Sequence, residues 1–413
     1  MPAQVPVGNL SVKFEISVVI PTHRQCFLDG CLEGLAAQSN TAFEVIVVEN
    51  GVPAAGTWEL VESYRSRLPI RYRHDPRAGL NRARNTGADL AGSEVIALLD
   101  DDCRPAPEWL DALVDVHAGR ADAVVAGGRV CLDFVEAPPG WLVGPFRQFL
   151  GSIDWSPVGR PLERGEWLVG ANLSFRKSIW IETGGFRPDF GMVGRSPPQL
   201  GNDEFEFIQR AAALGGRPPW YSPEALVSHR IGAARTGVEW FEWRAYGQGH
   251  SDVASLRLRE PEAGVHRLYV ELDRWAGRFL QEQARRQSVS GNYERDIEFK
   301  DNLLRCRIAQ LHGMFDAIRF TRRRFAACAA APDAYRRGVS AIRRLSRMPS
   351  PRSHALFELT RRKMRNRTME PGGDNLPDAW LSELAGMRDE SVAWMARASA
   401  VHQSAPWGRS IHG

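Results

Sequence analysis

Between residues 16 and 132 the apolar pattern switches back and forth between two periods, and no other feature of the chain restricts its fold so much. Short continuous runs rich in Val, Ile and Leu mark strands buried on both faces. They alternate with segments whose apolar residues recur every three to four positions, the mark of a helix with one buried face. Residues 16–20, 44–48, 70–73, 94–99 and 123–130 read as strands, and 27–38, 57–67, 80–90 and 107–118 as helices. This alternation predicts an α/β fold with a doubly wound, mainly parallel sheet covered on both faces. Ligands of such sheets bind outside the carboxyl ends of the strands, so the residues after each strand are the first place to look for chemistry.

One strand end stands out. Val95-Ile96-Ala97-Leu98-Leu99 runs straight into Asp100-Asp101-Asp102. Three adjacent carboxylates repel one another unless a cation or a set of donors balances them. In extended backbone Asp100 and Asp102 project to the same side and offer two oxygen ligands to a divalent ion. The competing reading is a solvated turn whose acids cap the helix starting near Pro107, but a cap needs a single acid. The first strand is followed by Pro21-Thr22-His23-Arg24 and the second by Glu49-Asn50-Gly51. Side by side, these three loops line a crevice with acceptors for a base and ribose and a cation site for phosphates.

Two further clusters lie downstream. Gly201-Asn202-Asp203-Glu204-Phe205-Glu206-Phe207 opens a predicted helix, 203–214. The helix dipole accounts for one or two acids there but not for all three. Asp203 and Phe207 share a helical face, whereas Glu204 points elsewhere and is free to face a cleft as general base. His229 ends a predicted strand, 225–229. Arg244, Tyr246, Gly247 and Gly249 after it suggest a second phosphate-facing loop.

The 413 residues suffice for two to three domains. A net charge of +4 hides an asymmetry: residues 301–370 hold 17 Lys and Arg against five Asp and Glu, leaving the remainder near −8. The Cys residues (26, 31, 103, 131, 306, 328) show no Cys-x-x-Cys spacing, so neither a zinc site nor a disulfide framework is expected, and reduced thiols in the cytoplasm are. The start of the chain lacks a basic region followed by an apolar stretch, and no apolar run approaches the roughly 18 residues of a membrane span. Residues 133–165 are rich in Pro and aromatics, read as packing over a domain edge ahead of lining a cleft. Residues 168–175 read as a return strand. Beyond 250 the strands give way to Arg-rich helices, a Pro/Gly/Asn break at 371–377 and a last amphipathic segment at 379–396. The basic helices suit self-association, docking on the acidic remainder, or peripheral contact with an anionic membrane surface. No nucleic-acid-reading module is present.

Taken in order, these residues resemble the family-2 glycosyltransferases. The resemblance rests on Val18-Val19-Ile20-Pro21-Thr22, Val47-Val48-Glu49-Asn50-Gly51, Gly79-Leu80-Asn81-Arg82-Ala83-Arg84-Asn85-Thr86-Gly87, Leu98-Leu99-Asp100-Asp101-Asp102, Gly170-Ala171-Asn172-Leu173-Ser174-Phe175-Arg176, the acidic helix start, Pro223-Glu224-Ala225 and His229. It implies the GT-A nucleotide-sugar-binding fold over about residues 16–250, split near 132 into a nucleotide-binding and an acceptor-side half. A short extension (1–15) precedes it and a helical, Arg-rich region (251–413) follows. The implied activity is inverting transfer of a sugar from a UDP, GDP or dTDP donor to an unspecified acceptor, assisted by Mg or Mn. By position, Pro21, Thr22, Arg24, Glu49, Arg84, Asn85, Asp100 and Asp101 fall on the donor side, and Asp102 and His229 at the metal. The family's Glu-Asp motif is reversed here to Asp203-Glu204, registered by Glu206 and Arg210. The base position thus falls on Glu204, with Asp203 as its substitute. Glu49 stands where Asp is common, and His23 where Tyr or Asn is common.

Nucleotidyl transfer and nicotinamide-dependent hydride transfer both call for a Gly-rich loop after the first strand, and Pro21-Thr22-His23-Arg24 has no Gly. The other alternative is an inactive sugar-binding or scaffold protein on the same fold, against which the joint presence of Asp100, Asp102, Glu204 and His229 argues.

Overall fold

Every residue of the first two strands is buried, as their unbroken apolar runs demand of strands covered on both faces. A computed structural model describes residues 14–23, 26–188, 190, 201–215 and 218–259, with isolated helical positions between 271 and 318. Along the chain run β1 (Ile16–Thr22), α1 (Leu28–Ala36), β2 (Phe43–Asn50), α2 (Thr57–Ser63), β3 (Ile70–Asp75), α3 (Leu80–Leu90), β4 (Val95–Leu98) and β5 (Cys103–Pro105). Then come α4 (Trp109–Gly119), β6 (Val125–Phe134), α5 (Pro145–Phe149), β7 (Arg160–Pro161), β8 (Leu173–Arg176), α6 (Lys177–Thr183), α7 (Asp203–Gly215), β9 (Trp220–Ile231) and α8 (Val238–Arg259).

One mixed sheet carries the strands in the order β3-β2-β1-β4-β8-β6-β9-β5, with β7 also on β9. Its first four strands are parallel, so their carboxyl ends form one edge: Thr22 sits opposite Glu49, and Glu49 opposite His74. From β8 onward the described pairings are antiparallel. The parallel rhythm therefore ends at β4. β8 takes the place beside it, so the expected strand at 123–130 joins only on the far side of β8. The expected return strand at 168–175 is broken: a 3-10 turn, Gly170–Asn172, precedes β8. Asn172 forces that turn by spending its whole amide inward. Its Oδ1 accepts from Trp109 Nε1 at 2.8 Å, and its Nδ2 donates to the carbonyls of Arg129 and Ala225. Helix α6 was not foreseen; it fits only seven residues between β8 and Gly184.

Helix α3 lies on β1 closely enough that a Cβ on Gly87 would stand 2.2 Å from Val19 Cγ1, so this contact admits no side chain. The core contains Val18, Ile20, Val45, Val47, Ile96, Leu98, Leu110, Leu173, Phe175 and Phe207, each aliphatic member contributing about 1.5–3 kcal/mol by burial.

The chain divides into two units, Met1–Asp133 with Gly151–Gly194 and Asp203–Arg230, and Phe134–Leu150 with Arg195–Asn202 and Ile231–Gly413. In the second, Trp141, Phe146 and Phe241 meet edge to face with ring centres 4.9 to 5.6 Å apart, so these aromatics of the Pro-rich connection pack. The basic stretches between 322 and 363 and the segment 379–396 lie outside the described residues. No described helix is long and apolar enough to cross a membrane.

Candidate active site

The acid run leaves the sheet. β4 stops at Leu98, and residues 99–102 turn back into β5, closed by the Cys103 N–H donating to the Asp100 carbonyl at 3.0 Å. The extended backbone expected through Asp102 is therefore replaced by a turn. Three like charges separate better on a turn, and each finds its own partner. Asp101 Oδ2 accepts from Thr22 Oγ1 at 2.5 Å, fastening the turn to the end of β1. Asp100 Oδ1 stands 3.6 Å from Arg84 Nη2, and Asp102 Oδ2 lies 3.2 Å from His229 Nε2. Capping of α4 is excluded, because its cap position is Glu108. Burial and the Asp102 charge push the Asp101 carboxyl well above the ordinary range, against the pull of Thr22. Burial raises Asp100 too, with Arg84 opposing.

Arg84 is the hub of the site. Its side chain is 0% exposed, and its guanidinium holds Asp203 at 2.7 Å through Nη1 and Glu204 at 3.0 Å through Nη2. Sequence position put Arg84 on the donor side; in the fold it faces the acid pair. Gly170 admits this approach: a Cβ there would fall 2.0 Å from Arg84 Nη2 and 2.6 Å from Glu204 Oε1, while its own N–H donates to Glu204 Oε1 at 3.2 Å. Burial works against the Arg84 charge, but Glu204, Asp203 and Asp100 outweigh it and hold its pKa above the ordinary value.

The two acids of the pair are unequal. Asp203 is 5% exposed and Glu204 20%. Burial, then the Glu204 charge, pushes Asp203 well up; burial also opposes ionisation of Glu204, but Arg84 and the Asp203 hydroxyl draw it down to about 2. Burial thus favours the neutral form of Asp203, while Arg84 favours the ionised form of Glu204, the more open of the two. The registering pair holds α7 in place: Arg210 grips Glu206 at 2.7 Å and donates to the carbonyls of Thr183 and Gly185. Phe207 stacks on Phe186 at 4.2 Å.

A third residue joins Asp102 and His229. β5 and β9 pair Cys103 with His229, and one ligand atom from each of Asp102, Cys103 and His229 lies within 4.8 Å of the others. Cysteine spacing in the sequence carries no trace of this. The only signal in the sequence is that Cys103 directly follows the acid run. Burial, followed by the Asp102 and Asp100 charges, pushes the Cys103 thiol well up, so it holds its proton and the carboxylate oxygen and imidazole nitrogen are the available donors. The carboxylate oxygen suits Mg or Mn, and the imidazole nitrogen suits a transition metal better than Mg.

The remaining donor-side residues lie along the parallel edge. Pro21 and Thr22 end β1 in buried positions. Glu49 is buried with both oxygens engaged: Oε1 accepts from the Ala54 N–H and Thr57 Oγ1, and Oε2 from the Tyr72 hydroxyl. Asn85 serves the fold as well, donating to the Phe186 carbonyl and accepting from Trp180 Nε1 and the Phe186 N–H. Asn81, one turn earlier, binds the carbonyls of Arg187 and Phe190, so this face of α3 holds the strand of chain leading toward α7. His23 Nδ1 lies 3.0 Å from the Asn50 carbonyl. Arg24 lies outside the described residues.

Residues 17–141 match the family described as Glycosyl transferase family 2, which marks this α/β stretch as a sugar-transferring domain. The chain is 27% identical over 242 residues to the glucosyl-dolichyl phosphate glucuronosyltransferase of Haloferax volcanii, covering 57% of this chain and 76% of that protein. It is 31% identical over 213 residues to the validoxylamine A glucosyltransferase of Streptomyces hygroscopicus subsp. limoneus, covering 45% of this chain and 47% of that one. The chain thus spans about half the length of the second relative. A solved mannosyltransferase from Pyrobaculum calidifontis, in complex with GDP-Man and Mn2+, superposes with a TM-score of 0.42 at 16% identity over 93% of this chain and 88% of that one, too loosely to bear on the site.

Proposed function

We propose that this chain transfers a sugar from a nucleoside-diphosphate sugar to an acceptor hydroxyl by a single, inverting displacement, with Glu204 as general base and with Asp102 and His229 holding a divalent cation. The observation that carries the reading is the division of labour around the acid turn. Asp102 and His229 meet at 3.2 Å on one side, and on the other Arg84 holds the more open Glu204 at 3.0 Å beside the buried Asp203 at 2.7 Å.

Asp102 Oδ2 and His229 Nε2 would hold Mg or Mn, which when bound stabilises negative charge developing on the leaving diphosphate. Thr22, His23 and the ends of β2 and β3 form the wall on which base and ribose lie. Glu204 accepts the proton of the acceptor hydroxyl as that oxygen attacks the anomeric carbon from the face opposite the diphosphate. Arg84 fixes the Glu204 carboxylate for this step and compensates its charge before the proton arrives. Asp203 hydrogen-bonds Glu204 without surrendering its proton, so the pair presents a single negative charge.

The two relatives move different sugars to different acceptors, a glucosyl-dolichyl phosphate and validoxylamine A, so sugar and acceptor are left open within the class. The reading is tested by calorimetric titration with UDP, GDP, dTDP and CDP, each with and without Mn. Expected is Mn-dependent binding of one nucleotide, lost in Asp102→Ala. Unchanged binding by Asp102→Ala removes Asp102 from the cation site, and binding of none favours an inactive scaffold on this fold.

A further inference from the structure

The stretch from Gly151 to Gly170 begins beside the cation residues and ends on the base. A Cβ added to Gly151, whose φ is 85°, would stand 3.6 Å from His229 Nδ1, and the Gly170 N–H donates to Glu204 Oε1 at 3.2 Å. The whole stretch, His229 and Glu204 belong to the first unit. An acceptor whose hydroxyl reacts between cation and base therefore has this stretch as a neighbour.

The stretch is held by a clasp. Arg160 grips Glu166 with both terminal guanidinium nitrogens, at 2.8 and 2.6 Å, and donates to the carbonyls of Trp155 and Pro161. β7 pairs Arg160 with Tyr221 of β9, which ties the clasp to the sheet. Two tryptophans twelve positions apart are brought together by it. Trp155 Nε1 donates to the Trp167 carbonyl at 2.8 Å, and the rings meet edge to face with centres 4.7 Å apart. In such a pair the ring that presents its edge keeps both faces clear of the other. Both side chains pack against the core yet are only half-buried. Two exposed carboxylates lie on the same stretch, Asp154 at 3.1 Å from Arg129 and Glu163 at 3.4 Å from Arg160. Open indole surface with carboxylates and guanidinium groups nearby is the chemistry that recognises a pyranose. The C–H face of the sugar lies on the ring, and the hydroxyls around its rim reach the charged groups.

We propose that Trp155 and Trp167 form an acceptor subsite that binds a sugar ring, so that the attacking hydroxyl belongs to a saccharide or glycoside. The acceptor rather than the donor is assigned to them because Trp167 lies three residues before Gly170, on the side of the base, and the base takes the acceptor's proton. The assignment rests on Glu204 being that base, as proposed above. Arg160 and Glu166 are positioning residues, which fix the two rings without touching the sugar.

The test uses the full chain and saturation-transfer NMR with methyl β-glucoside, methyl α-mannoside and methyl β-galactoside, with cyclohexanol as the apolar control, each with Mn and UDP or GDP. Expected is binding of at least one glycoside and not of cyclohexanol, with Kd raised about tenfold or more by Trp155→Ala or Trp167→Ala and held within about threefold by Trp167→Phe. Nucleotide affinity, measured by calorimetry, should be unchanged in each variant. In the wild type, the indole N–H signals of Trp155 and Trp167, assigned through their Phe variants, should shift on titration with the glycoside. Absence of glycoside binding overturns the proposal, as does binding unaltered in both alanine variants. Equal binding of cyclohexanol would make the surface merely apolar, and a parallel fall in nucleotide affinity would move the rings to the donor; either result also overturns it. If the alanine variants fail to fold, the indole shifts decide. Glu204→Gln is run beside them with UDP-glucose, GDP-mannose and dTDP-glucose as donors: if it still turns over, the assignment of the base fails, and the sugar titration judges the subsite separately.

Discussion

Two groups of buried acids sit on the same sheet under opposite rules. Along β2 and β3, every acid is matched by donors. Glu44 accepts from Ser17, the Gly92 N–H and Arg71; Glu49 from Ala54, Thr57 and Tyr72; Asp75 from Arg77 and Thr86. Around the β4 turn the matching is incomplete. Asp100, Asp203 and Glu204 share one guanidinium, and buried Asp100 Oδ1 and Arg84 Nε make no hydrogen bond at all. Buried polar groups are normally satisfied. Burial of an acid is therefore no sign of function here, and the unmatched Asp100 and Arg84 atoms are what set this centre apart.

The largest expected effect separates the groups by chemistry. Glu204→Gln should lower kcat by about 10²–10⁴-fold, the usual worth of a general base, with nucleotide affinity retained. Asp203→Asn should do less, since that acid already carries a proton. Steady-state kinetics decide, and a larger loss in Asp203→Asn would transfer the base to Asp203.

Next comes Arg84, read from sequence as a donor contact. Arg84→Met leaves the acid centre without its shared cation and should lower unfolding free energy by about 3–5 kcal/mol, the cost of breaking a buried pair. Urea unfolding measures it. A loss below about 1 kcal/mol would mean that the acids shed their charge by protonation instead, and the two groups would differ less than their geometry suggests.

The same contrast separates what the sequence reveals from what it hides. The parallel half was legible because it is built locally: α3 spans Leu80–Leu90 as its periodicity requires, and the apolar runs of β1 and β2 fall where expected. Asp102 with His229, and Asp203 with Glu204, were legible as types at strand and helix ends. Their partners were not. That Arg84 turns to residues more than a hundred positions away, that Gly170 leaves room for it, and that Cys103 faces His229 all depend on pairings of β5, β8 and β9 that no local period encodes. The extended backbone expected through Asp102 was misjudged for the same reason: β4 loses its β8 partner after Leu98, where the chain turns away.

A buried histidine extends the comparison to pH. His117 lies on α4 with Nε2 2.9 Å from Ser174 Oγ, and burial, followed by the Arg176 charge, lowers its pKa from 6.5 to about 4. Its folded pKa lies below the unfolded one, so between these values the unfolded chain binds more protons. Its contribution is complete above pH 6.5 and is lost as the pH falls toward 4, amounting to about 3 kcal/mol for this interval. Unfolding free energy measured from pH 7 to 4 should show that slope, and His117→Gln should flatten it. An unaltered slope in the variant would put the titration elsewhere.

The smallest effect is the sharpest test, because it falls on a residue that the two groups claim differently. By its place after β2, Glu49 belongs to the donor wall; by its bonds, it belongs with the satisfied acids. In Glu49→Gln the nitrogen brings two N–H groups to a place where three donors already converge, so it faces donors with a donor. An unmatched buried polar group costs about 1–3 kcal/mol, and thermal or urea unfolding should register a loss of that size. If stability holds and nucleotide affinity falls instead, one of the Glu49 oxygens is released to the ligand, and the satisfied edge of the sheet is a resting arrangement of the site.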